Sequence, residues 1–328
     1  YSSICNGFEF IKIFFCFCNI FSKVLVIKKT LNKMKLYKSL SFALLFLVAF
    51  ASAQTSANRF FYELTYKPKQ KVDSLQKAVV ILDVSDKKSI YKDYLTVSQD
   101  SLIKIEVDKM MKAGMFKDIS KSFQQPKFAF KVIKEYPSMK VNFNERMLNS
   151  VFGYEEEPKF NWQITNEKQK IGDYEAQKAT TEYGGRKWTA WFTEAIPFPD
   201  GPYKFSGLPG LIVKIEDADK NYSWVLTANK KLKEFEEYSY SEKLQAQFGG
   251  KNDINVISRD KFESSFETYK KDPLASIRGQ IPQDRMNMKM PGSDKTVGEM
   301  LKDQEKMLKD FYSASDNTIE LPQPKTKK

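Results

Sequence analysis

The sequence has 328 residues, a formal net charge of +12, no histidine and three cysteines, all within the first 18 positions. Without histidine or later cysteines, the chain beyond residue 18 excludes Ser-His-Asp and Cys-His catalysis and the zinc sites that rely on these side chains. Lysine and arginine are spread along the chain rather than grouped in one block, so we expect no nucleic-acid partner, and no cofactor is indicated.

Residues 1–33 are predicted to be an artefact of translation upstream of the true start. The chain opens with Tyr1, and this segment is rich in Phe, Ile, Lys, Asn, Ser and Cys, as translated AT-rich DNA is. The alternative is a membrane anchor at residues 8–27. Glu9 and Lys12 interrupt this run, however, whereas a spanning helix needs about 20 largely apolar residues.

Residues 34–53 have the three parts of a secretory signal peptide in the usual order. Lys35 and Lys38 form the positive start, residues 42–50 are apolar throughout, and Ala51-Ser52-Ala53 is a small-residue cleavage site. We therefore predict export, followed by removal of this peptide, and a periplasmic or secreted location.

Cleavage before Gln54 leaves residues 54–328 as a single β-rich mature domain. Residues 1–53 hold seven lysines and one glutamate, so the mature chain keeps +6 of the net charge. It has no stretch long and apolar enough to be a transmembrane helix. It has no cysteine either, so we expect its hydrophobic core alone to stabilise it.

Short alternating runs of apolar and polar residues dominate the chain up to about residue 231 and predict antiparallel strands with one buried face. Gly184-Gly185 predicts a tight hairpin turn, and the three prolines of residues 196–203 predict an irregular connection. In chain order, the predicted strands are 60–66, 78–82, 89–97, 127–134, 140–143, 161–164, 178–183, 186–195, 211–215 and 222–228.

Helical spacing of apolar residues predicts three helices, at residues 98–113, 259–270 and 296–312. Two of the three follow all the strands in the sequence. Strands first and helices last indicate a mainly β fold, an antiparallel open barrel or bowl-like sheet with C-terminal helices.

The hexapeptide Gly207-Leu208-Pro209-Gly210-Leu211-Ile212 resembles the signature of the GLPGLI family of exported Gram-negative envelope proteins. Residues 317–321 look like the closing Asn-Pro-Ile-Glu-Leu of that family, with Thr318 in place of proline, and Ala176 stands where the family often has cysteine. In the family's order, the resemblance extends to residues 177–179, 185–186, 190–193, 196–197 and 201–205.

This resemblance implies a bowl-shaped antiparallel β domain. Such domains are similar to lipid-carrier half-barrels and to a bowl domain attached to some glycan-cleaving enzymes. The family has no established activity and no agreed catalytic residues, so the resemblance implies none for this chain.

The loop at residues 201–212 is the first candidate for binding an apolar ligand or an outer-membrane partner. Its prolines and glycines set a rigid path, and Tyr203, Phe205 and Leu208 give it an apolar surface. The alternative is a corner that turns the sheet and plugs one end of the core, in which proline and glycine serve only the backbone geometry.

The tryptophans are the second candidate, as a stacking platform for a sugar or an apolar ligand: Trp162, Trp188, Trp191 and Trp224. Of these, we predict that Trp188, Trp191 and Trp224 bind. Trp188 and Trp191 are three positions apart and so face opposite sides of a strand, one into the core and one away from it. The alternative is that all four tryptophans fill the core, because aromatic residues are common in half-buried sheets.

Met286, Met288 and Met290 alternate with polar residues and could place three thioethers on one face of an extended segment. Thioethers suit Cu(I), although methionine also fills irregular apolar gaps. Residues 217–221 have the Asp-x-Asp-x-Asn spacing of a calcium loop but lack its glycine and later glutamate, which indicates a polar hairpin turn.

Residues 155–157 are three glutamates that we interpret as a solvated loop rather than as a catalytic pair, since such pairs usually come from different strands. The leading hypothesis is therefore a non-enzymatic envelope domain that binds an apolar molecule or an outer-membrane partner. The alternatives are a carboxylate-dependent glycan hydrolase and a Cu(I)-binding envelope protein.

Overall fold

A computed structural model describes residues 56–114, 124–148, 150–247, 252–289 and 294–322. The predicted upstream segment, the signal peptide and Met290 lie outside these ranges. The strands are β1 (Ala57–Tyr66), β2 (Gln76–Val84), β3 (Lys88–Asp93), β4 (Lys131–Glu135), β5 (Lys140–Met147), β6 (Ser150–Glu156), β7 (Gln163–Ile171), β8 (Tyr174–Tyr183), β9 (Arg186–Thr193), β10 (Leu211–Asp217), β11 (Tyr222–Leu232) and β12 (Ile254–Val256).

All of these strands join one sheet, in the order β12-β6-β5-β4-β3-β2-β1-β11-β10-β9-β8-β7. Every neighbouring pair is antiparallel except β12 and β6, which are parallel. Within the described residues β12 and β7 form the two edges, so the sheet is open. The prediction of a mainly β fold with an open antiparallel sheet is confirmed.

The helices are α1 (Leu95–Ser98), α2 (Asp100–Ala113), α3 (Tyr240–Gln247), α4 (Arg259–Lys271), α5 (Ala275–Arg278), α6 (Gln283–Met286) and α7 (Val297–Ser313). The three helices predicted from the sequence correspond to α2, α4 and α7. Helix α4 packs on β6 and on α7, and α3 packs on α2. Among the helices that the structure describes, none has the length and apolarity to cross a membrane.

Curvature brings distant strands of the sheet into contact through one face, which we call the inner face. The Trp224 indole of β11 donates to the Tyr91 hydroxyl of β3 at 2.9 Å, although β1 and β2 lie between these strands. Three strand spacings of about 4.8 Å would separate them by about 14 Å in a flat sheet. Tyr62, Leu82 and Val132 are fully buried on this face. The inner face therefore wraps around the core.

Residues 194–210, between β9 and β10, fill the inner face, and we call them the plug. The Lys134 amine of β4 donates to the Gly201 and Phe205 carbonyls at 2.6 and 3.2 Å, so the plug reaches strands far from β9 in the sheet. Gly210 closes the plug with φ +156°, and a Cβ there would lie 2.1 Å from the Thr193 carbonyl oxygen. A side chain at this position would force the strands apart.

Two sequence predictions of local structure were wrong. The strand predicted at 89–97 ends at Asp93, because residues 95–98 form α1. The glutamates at 155–157 are not a solvated loop: Glu155 and Glu156 end β6. Gly153 interrupts the β6 pattern, and it is required there because a Cβ would lie 2.6 Å from the Phe143 carbonyl oxygen of β5.

Candidate functional site

The six aromatic and aliphatic residues predicted to bind a ligand are all buried. Between 0% and 5% of each is exposed, and they contact one another and the sheet: Trp188, Trp191, Tyr203, Phe205, Leu208 and Trp224. Phe205 lies against the rings of Trp188 and Trp224, with centroids 4.8 and 6.2 Å apart. Their burial is what the core-filling and plugging alternatives predict.

Trp191 lies on the face opposite to Trp188, as the spacing predicts, but it is also buried. Only 5% of it is exposed, and the Lys178 amine lies 5.8 Å from its ring centroid. Neither indole offers a free stacking face.

The predicted metal ligands lie apart from the core. Met286 ends helix α6, and Met288 follows it in a turn with 59% of its surface exposed, so these two residues do not share one extended strand. In the described part of the chain, no group of three or more aspartates or glutamates could hold a metal ion. Asp217 accepts instead from the Tyr222 amide and the Arg186 guanidinium, at 2.7 and 3.1 Å.

A partly buried ionic cluster joins the plug to β6, α4 and the C-terminal end of the described chain. It consists of Lys204, Glu156, Arg259 and Glu320. The fully buried Lys204 amine forms ion pairs with Glu156 and, at 2.5 Å, with Glu320, and it donates to the Tyr154 hydroxyl at 2.9 Å. The Arg259 guanidinium binds both carboxylates at 2.8 Å.

The electrostatics of the ionic cluster keep the Glu320 carboxylate charged. Burial alone would raise the pKa of Glu320, but the charges of Lys204 and Arg259 outweigh it and hold this pKa below its ordinary value. Burial and the charge of Glu320 raise the pKa of Tyr203, whose hydroxyl donates to Glu320 at 2.6 Å. The cluster therefore clamps the plug rather than presenting a reactive group.

Residues 316–322, which we call the tail, carry Glu320 into the ionic cluster. The Arg186 guanidinium donates to the carbonyls of Ile319 and Thr318 at 3.0 and 2.8 Å and to the Asn317 side chain at 2.7 Å. The Leu321 amide donates to the Gly184 carbonyl at 2.8 Å. The closing residues that resemble the GLPGLI family thus bind the β8–β9 hairpin.

A cavity large enough for a small molecule lies elsewhere, at the end of the sheet where β4 begins and β5 ends. The cavity has a volume of about 500 Å³. Its lining includes Asn144 and Arg146 from one face of β5 and Glu145 from the other. Apolar walls come from strands and helices alike: Leu95, Ile103, Phe130, Ile133, Val151, Ile254 and Leu308.

Lys92 is the most unusual residue of the cavity lining. Only 2% of it is exposed, and its amine has no hydrogen-bond partner among the residues that the structure describes. Burial, followed by the positive charge of Lys131 on the neighbouring strand, lowers the pKa of Lys92 to about 8. The amine is still mostly protonated at neutral pH.

The pKa values of two carboxyl groups in the same lining are shifted in opposite directions. Burial raises the pKa of Glu145 to about 8, against smaller opposing effects of Lys270 and of a hydrogen bond from Tyr312. Burial would also raise the pKa of Glu242, but Lys131, 2.7 Å away, reverses the shift and lowers it. At neutral pH, Glu145 is therefore mostly neutral and Glu242 is charged.

Sequence reasoning missed Lys92, Glu145 and Glu242 as members of one site. One signal was available: Lys92 interrupts the apolar alternation of a strand predicted to be half buried. No local pattern predicts Glu242, because it reaches Lys131 across 111 positions of the sequence.

Fold and site together define the class of protein: a mainly β, open-sheet protein with a plugged inner face and a separate cavity at one end of the sheet. The model of a family described as a protein of unknown function (Porph_ging) matches residues 184–214. This segment runs from the β8–β9 turn through β9 and the plug into β10. A search of the curated proteins gives no match.

Two solved structures resemble the chain, titled "Structure of PNGF-II in P21 space group" and "Structure of PNGF-II in C2 space group". Sequence identity is 16% and 15%, and the TM-score is 0.45 for both. The matches cover 66% of this chain but only 34% and 33% of theirs, so the chain spans about one third of the length of these structures.

Proposed function

We propose that this chain is an exported member of the GLPGLI family and acts as a non-enzymatic binding domain for a small molecule. The signal peptide at residues 34–53 would direct residues 54–328 to the periplasm or the cell exterior. The cavity of about 500 Å³ carries the binding proposal, because its volume falls in the range of about 300–1,000 Å³ typical of small-molecule sites.

Family membership is supported by the position of the hexapeptide at residues 207–212. It lies inside the segment that the family model matches, at the junction of the plug and β10. Gly210 is required there by its close approach to Thr193, and Leu208, Leu211 and Ile212 are buried. We therefore interpret the hexapeptide as a fold signature and not as a binding lip.

The binding site of this proposal is the cavity and not the aromatic core. A ligand can reach Trp188, Phe205 and Trp224 only if the plug leaves the inner face, which would break the ionic cluster around Lys204. The cavity needs no such rearrangement. Its lining combines apolar side chains, which give affinity, with polar and charged side chains, which orient a ligand.

A carboxylate-dependent hydrolase is the second candidate, favoured by one observation. Glu145 and Glu242 line the same cavity, and their pKa values are shifted in opposite directions, as are those of a general acid and an ionised partner. If this candidate holds, Glu145→Gln and Glu242→Gln should each abolish hydrolysis of a glycan substrate by the purified protein. Hydrolysis that survives both changes would contradict it.

The binding proposal is tested by a native mass spectrum of residues 54–328 isolated from the cell envelope. We expect a reproducible mass above that of the unliganded chain, and an N-terminus at Gln54. The variant Ile133→Trp fills the cavity wall and should lose the additional mass. Val79→Trp is the matched control, because Val79 is 46% exposed and does not line the cavity.

Each contrary outcome contradicts a different part of the proposal. An unliganded mass for both the wild type and Val79→Trp would contradict small-molecule binding. An additional mass that survives Ile133→Trp would move the ligand away from the cavity. A mature protein that begins elsewhere than Gln54 would contradict the signal-peptide assignment alone.

A further inference from the structure

The chemistry of the cavity around Lys92 indicates the class of its ligand. An amine that is buried and unpartnered loses its hydration without compensation, so such groups are rare unless a partner arrives. The Lys92 amine is in this situation in the described part of the structure, and the residue lines the cavity. Its position on a central strand, β3, holds the amine in place.

The charged residues that act most strongly on Lys92 form ion pairs with one another. Arg59 binds Asp83 through two hydrogen bonds of 2.6 and 2.8 Å. Lys131 binds Glu242 at 2.7 Å, and Glu237 of the cavity lining is paired with a lysine at 2.5 Å. Lys92 is therefore the one member of this group of charges without an ion pair of its own.

One unmatched positive charge favours one negative charge on the ligand. A dianion would bring a second charge close to Glu237 and Glu242, which like-charge repulsion disfavours. Apolar residues, Ile103, Phe130 and Ile133 among them, line the cavity together with polar ones, and the apolar part of the lining suits a hydrocarbon body.

We propose that the ligand of the cavity is an amphipathic monoanion, a single negatively charged head group on an apolar body, and that Lys92 binds the head group. This inference rests on the proposed small-molecule function and narrows it. A carboxylate and a sulfate ester share the required chemistry.

Isothermal titration calorimetry of residues 54–328 at pH 7 tests the inference with three probes of equal chain length: decanoate, decyl sulfate and decanol. We expect at least one of the two anions to bind about tenfold or more tightly than decanol. A tighter decanoate indicates a carboxylate head group, and a tighter decyl sulfate indicates a sulfate ester.

Variants of the protein test whether Lys92 causes the preference for the anions over decanol. Lys92→Met should lose the preference for the anion and keep the affinity for decanol, whereas Lys92→Arg, which retains the charge, should keep the preference. Lys87→Met is the matched control, because it removes the same charge from an exposed residue three positions beyond β2 and should change nothing. Circular dichroism melts confirm that each variant is folded.

Two results overturn the inference. If decanol binds as tightly as both anions, or if Lys92→Met keeps the anion preference, Lys92 does not bind the head group, although the cavity still binds a small molecule. If no probe binds and envelope-purified protein also carries no additional mass, the proposed function fails together with the inference.

Discussion

Two buried lysines of this protein have opposite surroundings. Lys204 of the plug is fully buried with two carboxylates and a tyrosine hydroxyl around its amine. Lys92 of β3 is 2% exposed and has no hydrogen-bond partner among the described residues. The comparison shows that burial of a charge does not by itself define a functional site. A buried charge with partners is part of the scaffold, and a buried charge without one is available to a ligand.

The largest expected effect on stability comes from removing the amine of Lys204, the lysine whose partners make it part of the scaffold. Lys204→Met leaves Glu156 and Glu320 buried with Arg259 as their remaining cation, so we expect a loss of about 3–5 kcal/mol of unfolding free energy. Chemical denaturation of residues 54–328 measures it. Lys214→Met, which removes a half-exposed pair with Glu216, should cost no more than about 1 kcal/mol. Equal losses in both variants would contradict the role of the ionic cluster.

Glu145 should make stability fall as pH rises between about 4.5 and about 8. Its pKa is near 8 in the folded protein and near 4.5 when unfolded, so in this window the folded state binds more protons. The loss can reach about 4 kcal/mol by pH 8. Melting temperatures across this range check the slope, and Glu145→Gln should flatten it. An unchanged slope in Glu145→Gln would assign the effect to other groups.

Lys92→Met should stabilise the unliganded protein, in contrast to Lys204→Met. The pKa of Lys92 falls from 10.5 unfolded to about 8 folded, so its penalty is fully present below pH 8 and is lost as pH rises towards 10.5. We expect a gain of about 3 kcal/mol at pH 7 and none near pH 10.5. Denaturation at both pH values measures the difference. A loss of stability at pH 7 would mean that Lys92 already has a partner.

The smallest expected effect concerns the docking of the tail. Gly184 has φ +58°, and a Cβ there would lie 2.7 Å from the Glu320 side chain. Gly184→Ala should therefore cost about 1–3 kcal/mol and loosen the tail. Limited proteolysis followed by mass spectrometry should show faster cleavage within residues 316–322. Gly172→Ala, with a similar φ of +55° and free space around it, separates backbone strain from the lost tail contact.

Sequence reasoning recovered the parts of the fold that local patterns determine. The hairpin at β8 and β9 followed from Gly184-Gly185, both of which adopt positive φ, and the long helices followed from apolar spacing. Strand β6 was missed because Gly153 and the glutamates hide its alternation. The short helices α5 and α6 lack a pattern long enough to recognise.

The candidate site was less predictable, because it depends on contacts between distant residues. The sequence identified the plug and its aromatic residues as special, yet whether they bind a ligand or fill the core depends on the curvature of the sheet. Glu156 looked solvated because its partners, Lys204 and Arg259, lie 48 and 103 positions away. The isolation of Lys92 becomes visible only when the neighbouring strands and α3 are in place.

A crystal structure of residues 54–328 with 10-bromodecanoate tests most directly which of the two regions is the binding site. The bromine anomalous signal locates the apolar end, and the electron density locates the carboxylate. We predict the carboxylate within hydrogen-bond distance of the Lys92 amine and the bromine in the cavity near Ile133 and Phe130. Bromine next to Trp188, Phe205 and Trp224, with the plug displaced, would contradict the account. The binding site would then be the inner face of the sheet.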